Sequence, residues 1–577
     1  MTDYKFEIAD IIEKAILKQN NELKIENLKD FIETPPNSEM GDYAFPCFRL
    51  AKVLKKSPQM IATELKNVIE EDLDNQVIEK IEIAGGYLNF YINKLDLIKE
   101  VLQTIEIEKE KYGSTNIGQG RNAVIEYSSP NIAKPFHIGH LRSTVIGGAL
   151  YKLYNFVGYN SVGINYLGDW GLQFGKVMAG IKLWKDEYDF SSEDEISIIL
   201  KIYVRFSKEE KDNPELTNLA REMFKRLENK EPEVVAQWEH IRKISLENYE
   251  KTYKLLNAKF DSYNGEAYNN DKMEPVIEEL QNKGLLKDSE GAKVVFLDEY
   301  DMPPCIIVTS AGTTIYATRD IAALKDRIET YDFAKMVYVV GNEQELHFRQ
   351  FFKTLELAGY GDYIKNCEHV PFGLVVDKTG EKIGSRKGNS VTLDGILNEA
   401  IEKVKKIIDE KNSGLENRDE IARKVGVGAV IFNDLSNSRI KNEIFDWDTL
   451  LNFNGETGPY IQYIYVRTKS VLEKASYAPK FEDVDFNVLK DKSSIEVIKL
   501  LYELRQVILN AVEKNEPSIL ARYLIDLAQS FSNFYNCNKI IGEENNVENA
   551  RLYLTKTVGN VLKNSMALLG IEMPDKM

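Results

Sequence analysis

Cysteine is scarce in this chain: Cys47, Cys305, Cys367 and Cys537 are the only four in 577 residues, and no two form a C-x-x-C pair. That excludes a dense disulfide framework and a zinc ribbon, and it fits a reducing compartment. Histidine is nearly as rare, with five in all. Two of them form His137-x-x-His140, but no carboxylate or thiol at a usual ligand spacing completes a zinc set, so no protein-bound metal is expected. No apolar run approaches the roughly 20 residues of a membrane helix. The opening Met1-Thr2-Asp3-Tyr4-Lys5-Phe6-Glu7 lacks the basic-then-apolar pattern of a leader. A cytoplasmic chain without a membrane partner is the expectation. Positive charge is not in excess either: 74 Lys and Arg against 91 Asp and Glu leave −17, which removes a simple basic coat protein for nucleic acid. It does not remove nucleic acid as a partner, because screening beyond about 8 Å lets a local cationic patch act alone.

What is present is apolar mass, 43% of residues, enough for a globular chain of roughly three or four domains. Residues 1–110 read as a small α+β domain. Ile8, Ile12, Ala15 and Ile16 recur at helical spacing, Thr34-Pro35-Pro36-Asn37 interrupts, and two short strands flank Gly85-Gly86. Between them a second helix carries Arg49, Lys52 and Lys56 at i, i+3 and i+7, a stripe on one face that suits either solvent or phosphate. From Ala123 the order becomes strand, proline-containing loop and helix, with a second strand at Ser161–Tyr166, which is a βαβ unit. A polar helical insertion, roughly 178–300, interrupts a parallel sheet that is expected to resume at Val294, Cys305, Val337 and Leu374. Residues 111–400 therefore read as an α/β parallel-sheet domain and residues 401–577 as all-α, giving a multidomain α/β fold.

Three constellations carry chemistry. Ser128-Ser129-Pro130-Asn131-Ile132-Ala133-Lys134-Pro135-Phe136-His137-Ile138-Gly139-His140 lies where a strand hands over to a helix. Helix N-terminal amides attract phosphate there, two imidazoles can donate to its oxygens, and Gly139 leaves room for a purine against the backbone. The stretch Lys378-Thr379-Gly380-Glu381-Lys382-Ile383-Gly384-Ser385-Arg386-Lys387-Gly388-Asn389 sets four cations among three glycines. Alone it reads as a solvated loop; beside the first motif it reads as a clamp on a polyphosphate. In the third, Tyr316 and Asp320 are four apart on a predicted helix, with Gln344 downstream. An inward carboxylate there needs a cation, from a ligand or from an internal arginine. A P-loop is rejected: Gly171 and Gly175 are separated by three residues instead of four, and Val177 stands where Ser or Thr is required.

With these residues the chain resembles the class I aminoacyl-tRNA synthetases and, among them, the arginyl-tRNA synthetase family, from end to end. His137-Ile138-Gly139-His140 is similar to the ATP-binding HIGH signature, and Lys382-Ile383-Gly384-Ser385-Arg386 occupies the place of the KMSKS loop. Ser128–Pro135 and Gly168-Asp169-Trp170-Gly171-Leu172-Gln173-Phe174-Gly175 resemble the arginine-specific elaborations. Glu33-Thr34-Pro35-Pro36 with Gly41-Asp42-Tyr43-Ala44 resembles the extra domain used on the tRNA elbow. Phe445-Asp446-Trp447, Gly455–Tyr463 and Leu568-Leu569-Gly570-Ile571 resemble the anticodon-binding domain.

The resemblance implies a Rossmann-like class I catalytic domain that activates L-arginine with Mg2+-ATP and transfers it to the terminal adenosine of tRNA(Arg), as a monomer. It implies that His137, Gly139, His140, Lys382 and Arg386 bind ATP. Arginine would be held by Glu126, Asn131, His137, Tyr316, Asp320 and Gln344, a set whose carboxylates suit a planar guanidinium. The second KMSKS lysine is Ser385 here; Lys134 matches the lysine that compensates in the family, and Lys387 is the nearby alternative. Tyr460, Tyr463 and Arg467 are expected either to stack on anticodon bases or, for the tyrosines, to pack in a core. Arg49, Lys52 and Lys56 face tRNA phosphates or water. Two other readings are another HIGH-type nucleotidyl transferase or a class I ligase for a different amino acid, and a catalytically silent tRNA-binding or regulatory paralogue.

Overall fold

The computed structural model describes residues 1–577 apart from 20–24, 26, 72–76, 135, 191–194, 382, 384–391, 413 and 476. The chain forms two compact units. One comprises Met1–Tyr112, Thr468–Glu503 and Gln529–Val561, and the other Gly113–Arg467, Leu504–Ala528 and Leu562–Met577. Among the described residues no helix is long and apolar enough to cross a membrane.

In the first unit the helical spacing of Ile8, Ile12 and Ile16 places all three on the inner face of helix Tyr4–Gln19. They pack with Leu65 and Ile69 of helix Pro58–Glu71 and with Leu88 and Phe90. The latter two belong to an antiparallel sheet of order β1-β3-β2, formed by Tyr43–Pro46 (β1), Ile78–Ala84 (β2) and Tyr87–Ile92 (β3). The cationic stripe is shorter than its spacing predicts. Its helix ends at Leu54 because Lys55 turns left-handed (φ 53°), so Lys56 leaves the face and pairs with Glu64 at 2.6 Å. Arg49 lies over the ring of Phe31 instead of standing free.

The second unit is built on a four-stranded parallel sheet of order β10-β9-β4-β5, from Asn122–Glu126 (β4), Asn160–Ile164 (β5), Lys335–Gly341 (β9) and Cys367–Phe372 (β10). The helix Leu141–Phe156 crosses between β4 and β5 and is buried almost throughout. Gly147 lets it lie on the sheet, since a Cβ there would meet Tyr127 Cβ at 2.2 Å.

Only one of the later strand runs joins this sheet in the middle. The runs at Val294 and Cys305 form a separate antiparallel sheet from Lys287–Ser289 (β6), Ala292–Val295 (β7) and Cys305–Val308 (β8). Their burial differs from that of β4, which is buried along nearly its whole length: β8 alternates buried with exposed positions, the mark of a strand with one wet face. The run at Leu374 supplies Val375–Val376 (β11), which pairs in parallel with Glu443–Ile444 (β12). In the insertion, helices Leu172–Trp184 and Pro214–Glu228 meet at Gly175, where a Cβ would reach within 2.1 Å of the Ala220 carbonyl.

Candidate active site

The chain leaves β4 toward β5 and leaves β9 toward β10 on the other side, so the strand order reverses between β4 and β9. Open α/β sheets hold ligands in the crevice at the carboxyl ends of such neighbours. Glu126 ends β4, and Gly341 ends β9, followed by the turn Asn342–Gln344.

The loop between β4 and its helix is held in a form that is costly for its residues. Ser128, Ser129 and Ala133 all have positive φ (70°, 47° and 57°), at a cost of order 1 kcal/mol each. Hydrogen bonds offset this: Ser128 N donates to Ser143 Oγ at 2.8 Å, and Ser128 Oγ lies 3.0 Å from Tyr253 Oη. The Tyr249 hydroxyl lies 2.9 Å and 2.8 Å from the carbonyl oxygens of Asn131 and Lys134. Both tyrosines belong to the insertion helix Pro232–Leu255.

At the end of this loop His137 and His140 cap each other's turn. His137 Nδ1 accepts from Gly139 N at 3.0 Å, and His140 Nδ1 accepts from His137 N at 3.3 Å. An imidazole whose Nδ1 accepts carries its proton on Nε2 when neutral, so each ring presents one N–H donor. Burial, helped by the neighbouring His137 and Lys134, pushes His140 down to about 3, which keeps it neutral. The two rings stack at 4.1 Å between centroids, and Phe136 stacks on His140 at 5.0 Å. Gly139 is required by this cap as well, because a Cβ would lie 2.8 Å from His137 Cε1. Lys134, half-buried, is lowered by desolvation and by the charge of Lys176, with Glu266 opposing.

Four carboxylates stand below and beside the loop, and three of them already hold a guanidinium. Arg327 Nη2 donates to Glu126 Oε2 at 2.5 Å, with the Arg327 guanidinium between the rings of Tyr166 and Tyr338 at 5.2 and 5.4 Å. Arg319 pairs with Glu266 at 3.2 Å and Arg242 with Asp169 at 2.8 Å. Asp320 alone faces an imidazole, His347 Nε2 lying 2.6 Å from its Oδ2. Burial raises the Glu126 carboxyl, Arg327 opposes and the Asp320 charge adds. Burial pushes Glu266 up to about 7, against Arg319 and with Asp320 and Asp169 adding. The Tyr166 hydroxyl is buried without a hydrogen-bond partner among the described residues, in the field of Asp320.

The structure thus brings His137, Gly139 and His140 together and places Glu126 and Asp320 within each other's field. Asn131 is exposed on the same loop as the histidines, bridged to Gly168. Tyr316 starts the helix Tyr316–Tyr331 at 70% exposure, and Gln344 is exposed beyond β9. Lys382, Arg386 and Lys387 lie outside the described residues; the residues on either side of that stretch are described. At the entrance Lys378 Nζ pairs with Asp446 at 2.8 Å, and Asp377 Oδ1 accepts from Thr379 N and Glu381 N at 2.8 and 3.0 Å. After that stretch Thr392 bridges to His137 and Leu393 N donates to Phe136 O at 2.8 Å, so the chain resumes against the histidine turn. Farther along, Tyr463 is exposed with Arg467 over its ring at 4.7 Å, and Tyr460 is half-buried on the same helix, Gly458–Lys474.

Family models match three successive stretches: the arginyl-tRNA synthetase N-terminal domain over residues 4–92, the catalytic domain of class I (R) tRNA synthetases over 101–447, and the DALR anticodon-binding domain over 461–577. An arginine–tRNA ligase of Clostridium perfringens is 48% identical over 576 residues, covering 100% of each chain. The chain belongs to the arginyl-tRNA synthetase family. The arginine–tRNA ligase of Halothermothrix orenii is equally similar, 48% over 577 residues and 100% of each chain. The arginyl-tRNA synthetase structures from Thermus thermophilus (TM-score 0.81, 23% identity, 99% of this chain and 100% of that one) and Plasmodium falciparum (0.80, 24%, 100% of each) share the fold.

Within this family member, sequence reasoning missed Arg327, Glu266, Tyr166, Tyr249 and Tyr253. Arg327 falls eleven residues after Tyr316 on one helix, so periodicity offered a signal. The tyrosines lie in the insertion and in a strand end, where no local pattern points at the crevice.

Proposed function

We propose that the chain is an arginine–tRNA ligase, acting in two steps. The carboxylate of L-arginine attacks the α-phosphorus of ATP, releasing pyrophosphate and forming arginyl-adenylate. The 2′-hydroxyl of the terminal adenosine of tRNA(Arg) then takes the arginyl group and AMP leaves. Catalysis of this kind rests on positioning and charge stabilisation. The Nε2–H donors of His137 and His140 would hold phosphate oxygens, with Gly139 against the purine and Lys382 and Arg386 on the leaving phosphates. Mg2+ enters on the triphosphate as part of the substrate. Lys134 replaces the cation that Ser385 lacks: its lowered affinity for a proton reflects a desolvated site that an anion would relieve. In Lys134→Ala adenylate formation should slow about tenfold with the arginine KM unchanged; an unchanged rate would move the role to Lys387.

Asp320 carries the arginine assignment. Of the four crevice carboxylates among the described residues, it is the one whose partner is not a permanent cation, so its charge is left for a guanidinium. Glu126, Asn131, Tyr316 and Gln344 complete the pocket, Glu126 fixed by Arg327. For tRNA, Tyr463 with Arg467 and the half-buried Tyr460 suit the stacking of unpaired bases, and Arg49, Lys52 and Lys56 suit phosphates. Residues 1–110, 111–400 and 401–577 would serve the tRNA elbow, the chemistry and the anticodon. A monomer in the cytoplasm, where Cys47, Cys305, Cys367 and Cys537 stay as the free thiols they are, completes the reading. The deciding experiment is arginine-dependent exchange of pyrophosphate into ATP with and without tRNA, against lysine and glutamate. Exchange with arginine, dependent on tRNA, supports the reading; exchange with another amino acid, or none, overturns it.

A further inference from the structure

The helix that begins with the histidine turn carries a charge that the chemistry above does not use. Arg142 is 1% exposed, two residues beyond His140, on helix Leu141–Phe156. Its Nε donates to Asp434 Oδ1 at 3.2 Å on helix Arg418–Leu435, and its Nη1 donates to the carbonyl of Lys441 at 2.7 Å. The guanidinium carbon lies 6.0 Å from the ring centre of Phe372, the last residue of β10. A second buried carboxylate, Glu443 of β12, accepts from Asn433 Nδ2 at 2.7 Å and Asn437 Nδ2 at 3.2 Å. Burial and the Asp434 charge raise it to about 8, with Arg142 and the two asparagines opposing.

The segment these groups hold is the one that clasps the entrance to the cationic loop. Gly373 N donates to Arg439 O at 2.9 Å, Leu374 N to Asn442 Oδ1 at 2.9 Å, Glu443 N to Leu374 O at 2.8 Å and Phe445 N to Val376 O at 2.9 Å. At Gly373 the approach is so close that a Cβ would meet Lys441 O at 2.5 Å. Arg142 therefore touches, through a single carbonyl, the segment that leads into β12, the strand partner of β11.

As a stabilising device the pair is poorly made. Arg142 Nη2 and Asp434 Oδ2 are both buried without partners among the described residues, and a buried ion pair in that condition offsets little of its desolvation. Its use is to fix position. We propose that Arg142, Asp434 and Glu443 are positioning residues that hold β11 and the turn after it, through Glu381, in place relative to His137 and His140. The proposal rests on the ligase reading and adds to it a group of residues that act on the activation step alone.

The test measures pyrophosphate exchange and, separately, single-turnover transfer from preformed arginyl-adenylate to tRNA, in full-length Asp434→Asn and Glu443→Gln. Both substitutions keep shape. Asparagine removes the charge Arg142 answers, and glutamine can accept at one atom only, so Asn433 or Asn437 loses its acceptor. Exchange kcat should fall by about 10- to 100-fold, the cost of displacing a reacting group by about 1 Å, with the arginine KM within about twofold and transfer unaffected. Equal slowing of both steps would show a general loosening and overturn the proposal, as would an exchange rate unchanged in both variants. If Asp434→Asn does not fold, Glu443→Gln decides. Failure of the ligase reading shows in the wild-type protein, before any variant is made, as exchange without arginine specificity or no exchange at all.

Discussion

Glu126 and Asp320 end up in the same crevice with opposite fates. Glu126 is 6% exposed at a strand end and is answered by Arg327, a cation that never leaves. Asp320 sits on the first turns of a helix, partly exposed, and is answered by His347. A permanent guanidinium cancels a carboxylate's charge and turns it into scaffold, whereas an imidazole can give up its claim when a stronger cation arrives. A carboxylate is thus wall in one place and, on the proposed reading, contact in the other.

Breaking the scaffold side should have the largest effect. Arg327→Met leaves the Glu126 carboxylate buried without its cation, which costs about 3–5 kcal/mol. Thermal or urea denaturation should show that loss; a variant as stable as the parent would remove Arg327 from its structural role. On the contact side, Asp320→Asn should raise the arginine KM about 100-fold while leaving the ATP KM within about twofold, as expected for one charge-assisted pair. An unchanged arginine KM would return Asp320 to the scaffold beside Glu126.

Glu266 sharpens the contrast because it lies between the two cases. Its carboxyl keeps a proton in the fold up to about 7, whereas 4.5 is its ordinary value. The stability this site contributes is therefore full below about 4.5 and is lost as pH rises through about 7. On the proposed reading a bound guanidinium would favour the ionised form, so arginine binding would expel this proton below about 7. Arginine affinity, followed by calorimetry in two buffers of different ionisation heat, should rise by up to about tenfold between pH 6 and 8, and Glu266→Gln should flatten the rise. The smallest effect belongs to the surface: Lys56→Ala breaks only an exposed pair with Glu64 and should cost under about 1 kcal/mol of stability. A loss of tRNA affinity in that variant, with stability unchanged, would assign Lys56 to phosphate contact.

Much of the fold was legible because it is written in local periodicities. Ile8, Ile12 and Ile16 mark a helix face, and the run Val124–Glu126 marks a strand buried on both sides. The strands at Val294 and Cys305 were placed in the wrong sheet because a short apolar run does not say which partner covers it. The stripe of Arg49, Lys52 and Lys56 failed at Lys55, where one left-handed residue ended the helix.

The sequence by itself determined one side of the crevice, the strand end and the two imidazoles that follow it. A strand, a loop ending in His137-Ile138-Gly139-His140 and a helix place two capped imidazoles at the helix start, since i to i+3 contacts are local. Only the tertiary structure decided which carboxylate is available and what fixes the cationic loop's entrance. Arg327 reaches Glu126 across about 200 residues of chain, and Arg142 reaches Asp434 across nearly 300. Such pairings depend on which buried charges meet when the helices pack, and no spacing along the chain encodes them.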